Sequence, residues 1–334
     1  MVGRRRMGKN QEFHGVLPIR KLDGTRHSSG ERAVIEDVLL CAEIDYVPGL
    51  PIIQLLIPLM SDQTNPAKPA RVNVLGVGIS VLNLDLAVEY VAHALQSGQK
   101  GYVCVTGVHG VSEAQADPAF RAVLNCAFLN TPDGMPMVWL GRLRGFRQMR
   151  RVYGPDLMLR ICEFSVRRGY THFLYGGAEG VAQALKARLE AQFPGINIVG
   201  TFTPPFRPLT ADEEKHLADR FTEAKPHIVW IGLSTPKQER FMSAHWLTLD
   251  AGLWFGVGAA FDFHAGRVRQ APRWMQGCGL EWFFRLCCEP RRLWKRYLRN
   301  NPLFVIRSLG QLTGLKRYPL DPVPEPGSPS HDPS

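Results

Sequence analysis

From Arg71 to Arg269, short apolar runs ending in Gly, Thr or Pro alternate with stretches whose apolar residues recur every three or four positions. The runs are VNVLGVGI, YVCVTG, AFLNTPDG, THFLYGG, INIVGTF, HIVWIGLS and GLWFGVG. Nearly continuous apolar runs of this length predict strands of a parallel sheet buried on both faces, with helices between them over 84–96, 181–192 and 213–224. The stretch VSEAQADPAFRAVLN also reads as helical, with Asp117 as a cap and Pro118 at the first helical position. The predicted class is α/β, with a core over 69–268. Past Arg269 the strand grammar stops, and a helical, basic appendage rich in Trp and Arg is expected over 269–317.

Residues 1–68 read as an N-terminal extension, polar and basic at first and then apolar. Its longest apolar run, Val47 to Met60, carries three prolines and is too short to span a bilayer, so no transmembrane helix is expected there. The RRR run near the start is not followed by the apolar region and cleavage site of a secretory signal. Six prolines beyond Tyr318 predict a disordered tail over 318–334.

Charge sharpens this division. The chain carries a net charge of +10, and Arg267 to Arg317 alone hold twelve basic residues against two acidic ones. The excess is therefore local, which implies a local anionic partner. If Pro290 starts a helix, Leu293, Trp294, Tyr297 and Leu298 fall on one side, and Arg291, Arg292, Lys295, Arg296 and Arg299 on the other. Such a helix suits an anionic membrane surface or a phosphate-bearing site; the plainer alternative is a terminal helix with a solvated charged face. Seven cysteines without a CxxC pair or a companion histidine at ligand spacing point to a reduced, cytoplasmic chain with no metal site.

In an open parallel sheet, ligands sit outside the carboxyl ends of the strands. A right-handed crossover through the VSEAQADPAFRAVLN helix would place Thr106, after YVCV, beside Asp133, in TPDG. A plain turn is the other reading of TPDG. Gly176 and Gly177 precede a helix, where small residues let phosphates approach the helix amides or simply let helix pack on sheet. In IGLSTPKQERF, Pro236 suits a first helical turn, and Lys237 and Gln238 are placed to reach a ligand over the strand ends. Asp262 and His264 are read as structural. No DxD occurs, so charge on a diphosphate leaving group would be met by Arg, Lys or helix amides.

Taken together, TPDGMPMVW, RVYGPDLM, LYGGAEG, GLSTPKQE, GAAFDFHAG, RQAPRWMQ, GLEW and RLCCEPRRL, in that order from about Val72 to Leu312, resemble the WecG/TagA/CpsF group, glycosyltransferase family 26. The resemblance implies a Rossmann-like core that moves a hexosyl or N-acetylhexosaminyl group from a UDP-sugar to a polyprenyl-diphosphate-linked sugar in bacterial surface polysaccharide biosynthesis. It implies inversion at the anomeric carbon, no metal and no cofactor. Asp133 matches the family's base, Thr106 its neighbouring threonine, Gln238 a site glutamine, and Arg151, Arg285 and Arg292 arginines of the site or its cover. Where many relatives read TxN, this chain has Thr106, Gly107, Val108 and His109, so His109 is the candidate to supply the missing amide contact. Lys295 stands where relatives carry Arg. A lipid-linked acceptor also implies peripheral association with the inner face of the cell membrane. A nucleotide-sugar epimerase or an NAD-dependent dehydrogenase would need a dinucleotide fingerprint that is missing. A nucleic-acid-binding protein would leave the strand-end motifs unexplained, and no nucleic acid is expected as a partner. The oligomeric state stays open, a homo-oligomer included.

Overall fold

A computed structural model describes residues 68–320, all within the unit Thr64–Ser334. The expected extension over 1–68, with its Val47–Met60 run, lies outside the described residues except for Lys68, and the proline-rich tail lies outside them beyond Leu320.

The first apolar run does not form a single strand. VNVLGVGI folds into an antiparallel hairpin of β1 (Arg71–Val74) and β2 (Val77–Ser80), a two-stranded sheet of its own. Its two-residue turn is Leu75–Gly76, with φ of +52° and +82°. Two positive φ values in succession are what a tight hairpin needs, and leucine adopts one only at a cost of about 1–2 kcal/mol. Burial of the Leu75 side chain and donation of its N–H to Gln311 Oε1 at 3.1 Å offset that cost. Gln311 is 236 positions away, so the turn leaves no mark in the apolar run.

The other six runs form one parallel sheet in the order β4-β3-β8-β7-β5-β6. These strands are β3 (Gly101–Thr106), β4 (Leu129–Pro132), β5 (Thr171–Gly176), β6 (Asn197–Phe202), β7 (Ile228–Gly232) and β8 (Leu253–Gly256). Successive side chains leave opposite faces, so each strand feeds two cores. Val103, Ile228, Trp230, Leu253 and Phe255 pack against α1 (Leu84–Gln96), α5 (Gly154–Val166) and α6 (Val181–Gln192). Tyr102, Cys104, Val229, Ile231 and Trp254 meet the opposite layer of α2 (Val108–Ala116), α3 (Pro118–Cys126), α7 (Ala211–Ala224), α8 (Lys237–His245) and the hairpin. Each fully buried Phe or Ile contributes roughly 1.5–3 kcal/mol, and strands supplying both layers must be apolar throughout. The edge strand β6 is the exception, with Asn197 and Val199 exposed between buried Ile198 and Gly200.

The chain runs from β3 to β4, crosses the sheet to β5 and β6, and returns through β7 and β8 between the two pairs. The carboxyl ends of β3, β4, β7 and β8 therefore adjoin where the connections diverge, a place suited to a ligand. The Asp117 side chain accepts from Phe120 N, with Pro118 at the start of α3, so the expected helical stretch is two helices, α2 and α3.

Among the described residues the last four helices are α9 (Ala260–His264), α10 (Arg273–Gly277), α11 (Glu281–Cys288) and α12 (Pro290–Leu312), and the short α4 (Met135–Leu143) follows β4. Helix α12 starts at Pro290 as expected but continues through Pro302. Its inward stripe is Leu293, Arg296, Tyr297, Asn300, Phe304 and Ser308, a helical spacing that packs against α2 and the hairpin layer. Trp294 and Leu298, read from sequence as companions of Leu293, are instead 48% and 70% exposed. Arg296, read as part of the outer basic face, points inward. The reason is geometric: the stripe passes over a cavity whose wall takes polar as well as apolar side chains, so its inward positions are not uniformly apolar.

Candidate active site

A cavity of about 720 Å³ lies against the carboxyl ends of β3, β4, β7 and β8, roofed by α4, α11 and α12. Its floor begins with Thr106, the last residue of β3, which is aligned with Pro132 at the end of β4. Asp133 N–H donates to Thr106 O at 3.0 Å, extending that ladder by one step and fixing the carboxylate next to the threonine. Gly107 makes this approach possible, since a Cβ there would lie 3.0 Å from Asp133 O. Gly134, at φ +84°, then turns the chain into α4.

Arg151 reaches Asp133 from the segment that pairs with the end of β4 through Val152 N–H and Pro132 O. Its guanidinium is shared. Nη2 lies 3.4 Å from Asp133 Oδ1 and forms a closer ion pair with Glu281 Oε2, while Nη1 donates to Gln276 Oε1 at 3.3 Å. The Tyr153 ring centroid lies 3.9 Å from the guanidinium carbon, and the Tyr153 hydroxyl donates to Glu281 Oε1 at 3.0 Å. Burial pushes the Asp133 carboxyl up to about 6; Arg151 and Arg285 oppose that shift and Glu281 reinforces it. Burial lowers the Arg151 pKa, but Asp133 and Glu281 more than offset it and leave the group above its ordinary value.

On the other wall, Gln238 sits in the first turn of α8 and donates through Nε2 to Glu239 Oε1 at 3.0 Å. Both are buried, and the Glu239 carboxyl is raised by desolvation. Thr235 Oγ1 also donates to Glu239 Oε1, at 2.8 Å. From α12, Asn300 Nδ2 lies 3.2 Å from His109 Nδ1, and Arg296 stands beside its neighbour Tyr297. Desolvation and Arg296 push the His109 pKa down to about 4, so this imidazole is neutral at pH 7.

The polar accounting is uneven. Thr106 Oγ1, Gln238 Oε1, Glu239 Oε2, Arg151 Nε, Arg296 Nε and Ser308 Oγ are buried, line this cavity, and have no hydrogen-bond partner within the chain. A folded protein pairs nearly all its buried polar atoms, so six exceptions grouped on residues around one cavity mark it as a candidate ligand site. Among the described residues no group of three or more His, Cys, Asp or Glu side chains is placed to hold a metal ion.

Of the residues singled out from sequence, Thr106, His109, Asp133, Arg151, Gln238 and Arg285 line this cavity together. Gly176, Gly177, Lys237 and Arg292 do not. A Cβ on Gly176 would lie 2.7 Å from Gly232 O, and one on Gly177 would strike Val181, so close packing of β5 on β7 and α6 accounts for both glycines. Lys237 is exposed, and Arg292 pairs with Glu289 at 2.6 Å on the outer face of the appendage. Gln276, Glu281, Tyr153, Glu239, Arg296 and Asn300 join the site without having been picked as site residues. Glu281 lies in the GLEW motif, and Arg296 and Asn300 stand three and seven positions after Leu293, which is the only local signal they carry.

Residues 72–318 match the model of the Glycosyl transferase WecG/TagA/CpsF family. The chain belongs to this family. It is similar to the N-acetylglucosaminyldiphosphoundecaprenol N-acetyl-beta-D-mannosaminyltransferase of Bacillus spizizenii, with 30% identity over 186 residues, 56% of this chain and 70% of the relative. It is also similar to the enzyme of the same description from Bacillus subtilis, with 30% identity over 202 residues, 60% of this chain and 76% of the relative. The cavity is thus the candidate active site of a glycosyltransferase on a Rossmann-like core, and the appendage, which the family match covers to residue 318, supplies part of its wall.

Proposed function

We propose that this glycosyltransferase moves a hexosyl or N-acetylhexosaminyl group from a UDP-sugar to a sugar carried on a polyprenyl diphosphate, with inversion and without a metal ion. The observation that carries the reading is the carboxylate of Asp133 beside Thr106, in a cavity lined by six unpartnered polar atoms and three arginines, Arg151, Arg285 and Arg296. Asp133 takes the proton of the acceptor hydroxyl as that oxygen bonds to the anomeric carbon. The bond from that carbon to the diphosphate breaks on the opposite face, and its electron pair leaves with UDP. A single displacement of this kind needs one base and inverts the centre. Arg285 and Arg296 offset the charge that develops on the departing diphosphate. The names of the Bacillus relatives, which specify N-acetylmannosaminyl transfer to a diphosphoundecaprenol-linked N-acetylglucosamine, support the acceptor class.

The lipid of such an acceptor stays in the bilayer, so the enzyme meets it at the inner face of the cell membrane. Trp294 and Leu298 are exposed on the outer face of α12, and Arg291, Lys295 and Arg299 flank them. Among the described residues no helix is long and apolar enough to cross a membrane. A face of this kind lies in the interface plane while the basic residues meet anionic headgroups.

The test is turnover in the presence of EDTA, using a panel of UDP-sugars and a short-chain polyprenyl-diphosphate N-acetylglucosamine. Product mass identifies the donor, and the anomeric coupling constant gives the stereochemistry. A product of inverted configuration formed in EDTA is expected. Retention of configuration, or activity lost in EDTA and restored by magnesium or manganese, overturns the mechanism.

A further inference from the structure

The Arg151 guanidinium occupies an unusual position between two carboxylates. An arginine beside a lone aspartate normally closes on it with two parallel hydrogen bonds near 2.7–2.9 Å. Here the contact with Asp133 is single and 3.4 Å long, because the guanidinium is held elsewhere. Glu281 takes the closer ion pair, Gln276 accepts from the second amino group, and the Tyr153 ring lies beneath the plane. Tyr153 also fixes Glu281 by donating to its other oxygen at 3.0 Å. Glu281 and Gln276 both come from the appendage, on α11 and α10, whereas Asp133 and Arg151 belong to the core.

We infer that Glu281 is a positioning residue for Asp133, holding the Arg151 guanidinium off the Asp133 carboxylate so that its oxygens stay open to the acceptor hydroxyl. The inference rests on the reading of Asp133 as the base. Charged groups facing Asp133 are Arg151 from the core segment and Glu281 and Arg285 from α11. Removing the Glu281 charge leaves two cations facing one anion and frees Arg151 to close on it. An opposite charge brought within about 4–6 Å lowers a carboxyl pKa by roughly 1–3 units, so the base becomes weaker. Through Glu281 the appendage sets the strength of a base that lies in the core.

The experiment compares full-length wild type, Glu281→Gln, Glu281→Asp and Tyr153→Phe. Two readouts are followed: the acid limb of the pH profile of kcat, and the carbon-13 carboxyl resonance of Asp133, assigned by its absence in Asp133→Asn. In Glu281→Gln both should move to lower pH by about one unit or more, and the plateau rate should fall by less than the ~10²-fold loss expected on removing a base. Glu281→Asp should restore part of the shift. Tyr153→Phe, which frees one Glu281 oxygen, should move both readouts in the same direction by less, and it carries the test if Glu281→Gln does not fold. A lowered rate with neither readout displaced overturns the inference and makes Glu281 a packing residue only. If the Asp133 resonance moves while the rate profile stays put, the positioning role stands and the assignment of Asp133 as base fails.

Discussion

At the scale of single residues, the proposed chemistry turns on Asp133, whose carboxyl burial lifts to about 6. A base must be ionised to work, so kcat should be at its plateau above that value and fall tenfold per unit as pH drops below it. A pH profile checks this, and an acid limb near the ordinary aspartate range would contradict it. Asp133→Asn should cost ~10² to 10⁴ in single-turnover rate while donor affinity stays within a few-fold; a variant that keeps more than about a tenth of the rate would exclude Asp133 as the base. Arginines divide similarly. Arg285 lines the cavity, whereas Arg292 is spent on Glu289 outside it. Arg285→Ala should therefore lower turnover on a detergent-dispersed acceptor by about 10²-fold, as loss of a charge-stabilising donor does, and Arg292→Ala should barely change it. Equal losses would return Arg292 to the site. The Thr106–Asp133 pair was legible in the sequence because one short helical crossover, made of α2 and α3, joins two neighbouring parallel strands, and that local rule fixes both ends. Arg151 and Glu281 are 130 positions apart and obey no local rule, so their pairing could not be read.

At the scale of elements, α12 shows how a ligand site disguises itself in a hydrophobic pattern. The helix start at Pro290 and its amphipathic character were readable. Its orientation was not, because a polar residue facing a cavity has the same identity as one facing water. Arg296 falls among the outer basic residues in the sequence pattern but lines the cavity, as does Asn300, while Trp294 and Leu298 share an apolar arc with the buried Leu293 and are exposed. The hairpin hid for a related reason: the positive φ of Leu75 is supported by burial and by Gln311, which lies on α12, far along the chain. Phe304, buried in the core layer shared with the hairpin, anchors the far half of the helix. Phe304→Ala should cost about 3–5 kcal/mol of stability. It should also lower activity well below the melting temperature, because α12 carries Arg296 and Asn300 to the cavity. Thermal unfolding followed beside a rate measurement separates the two effects; full activity at reduced stability would mean that the helix position does not matter to chemistry.

At the scale of the whole molecule, the concentration of basic charge near the C-terminal end was plain from the sequence, since residues 267–317 account for the entire excess of +10. What the sequence left out is how the appendage divides its labour. Its inner face contributes Gln276, Glu281, Arg285, Arg296 and Asn300 to the cavity, together with Val305, Leu309 and Leu312, and its outer face presents Trp294 and Leu298 beside Arg291, Lys295 and Arg299. The two faces should separate by mutation. Basic residues near an anionic surface contribute ~1 kcal/mol each, so Arg291→Glu with Arg299→Glu should weaken sedimentation with anionic vesicles by at least ~30-fold at low salt. Added salt should erase much of the difference from wild type, because exposed charges are screened. Leu298→Glu should also weaken sedimentation, but through lost apolar insertion, so its defect should persist on neutral vesicles, where the charge reversals have little effect. All three substitutions face away from the cavity, and turnover on a dispersed short-chain acceptor should stay near wild type. Loss of that turnover along with vesicle binding would mean that the outer face also shapes the site, and that the two sides of the appendage do not act separately.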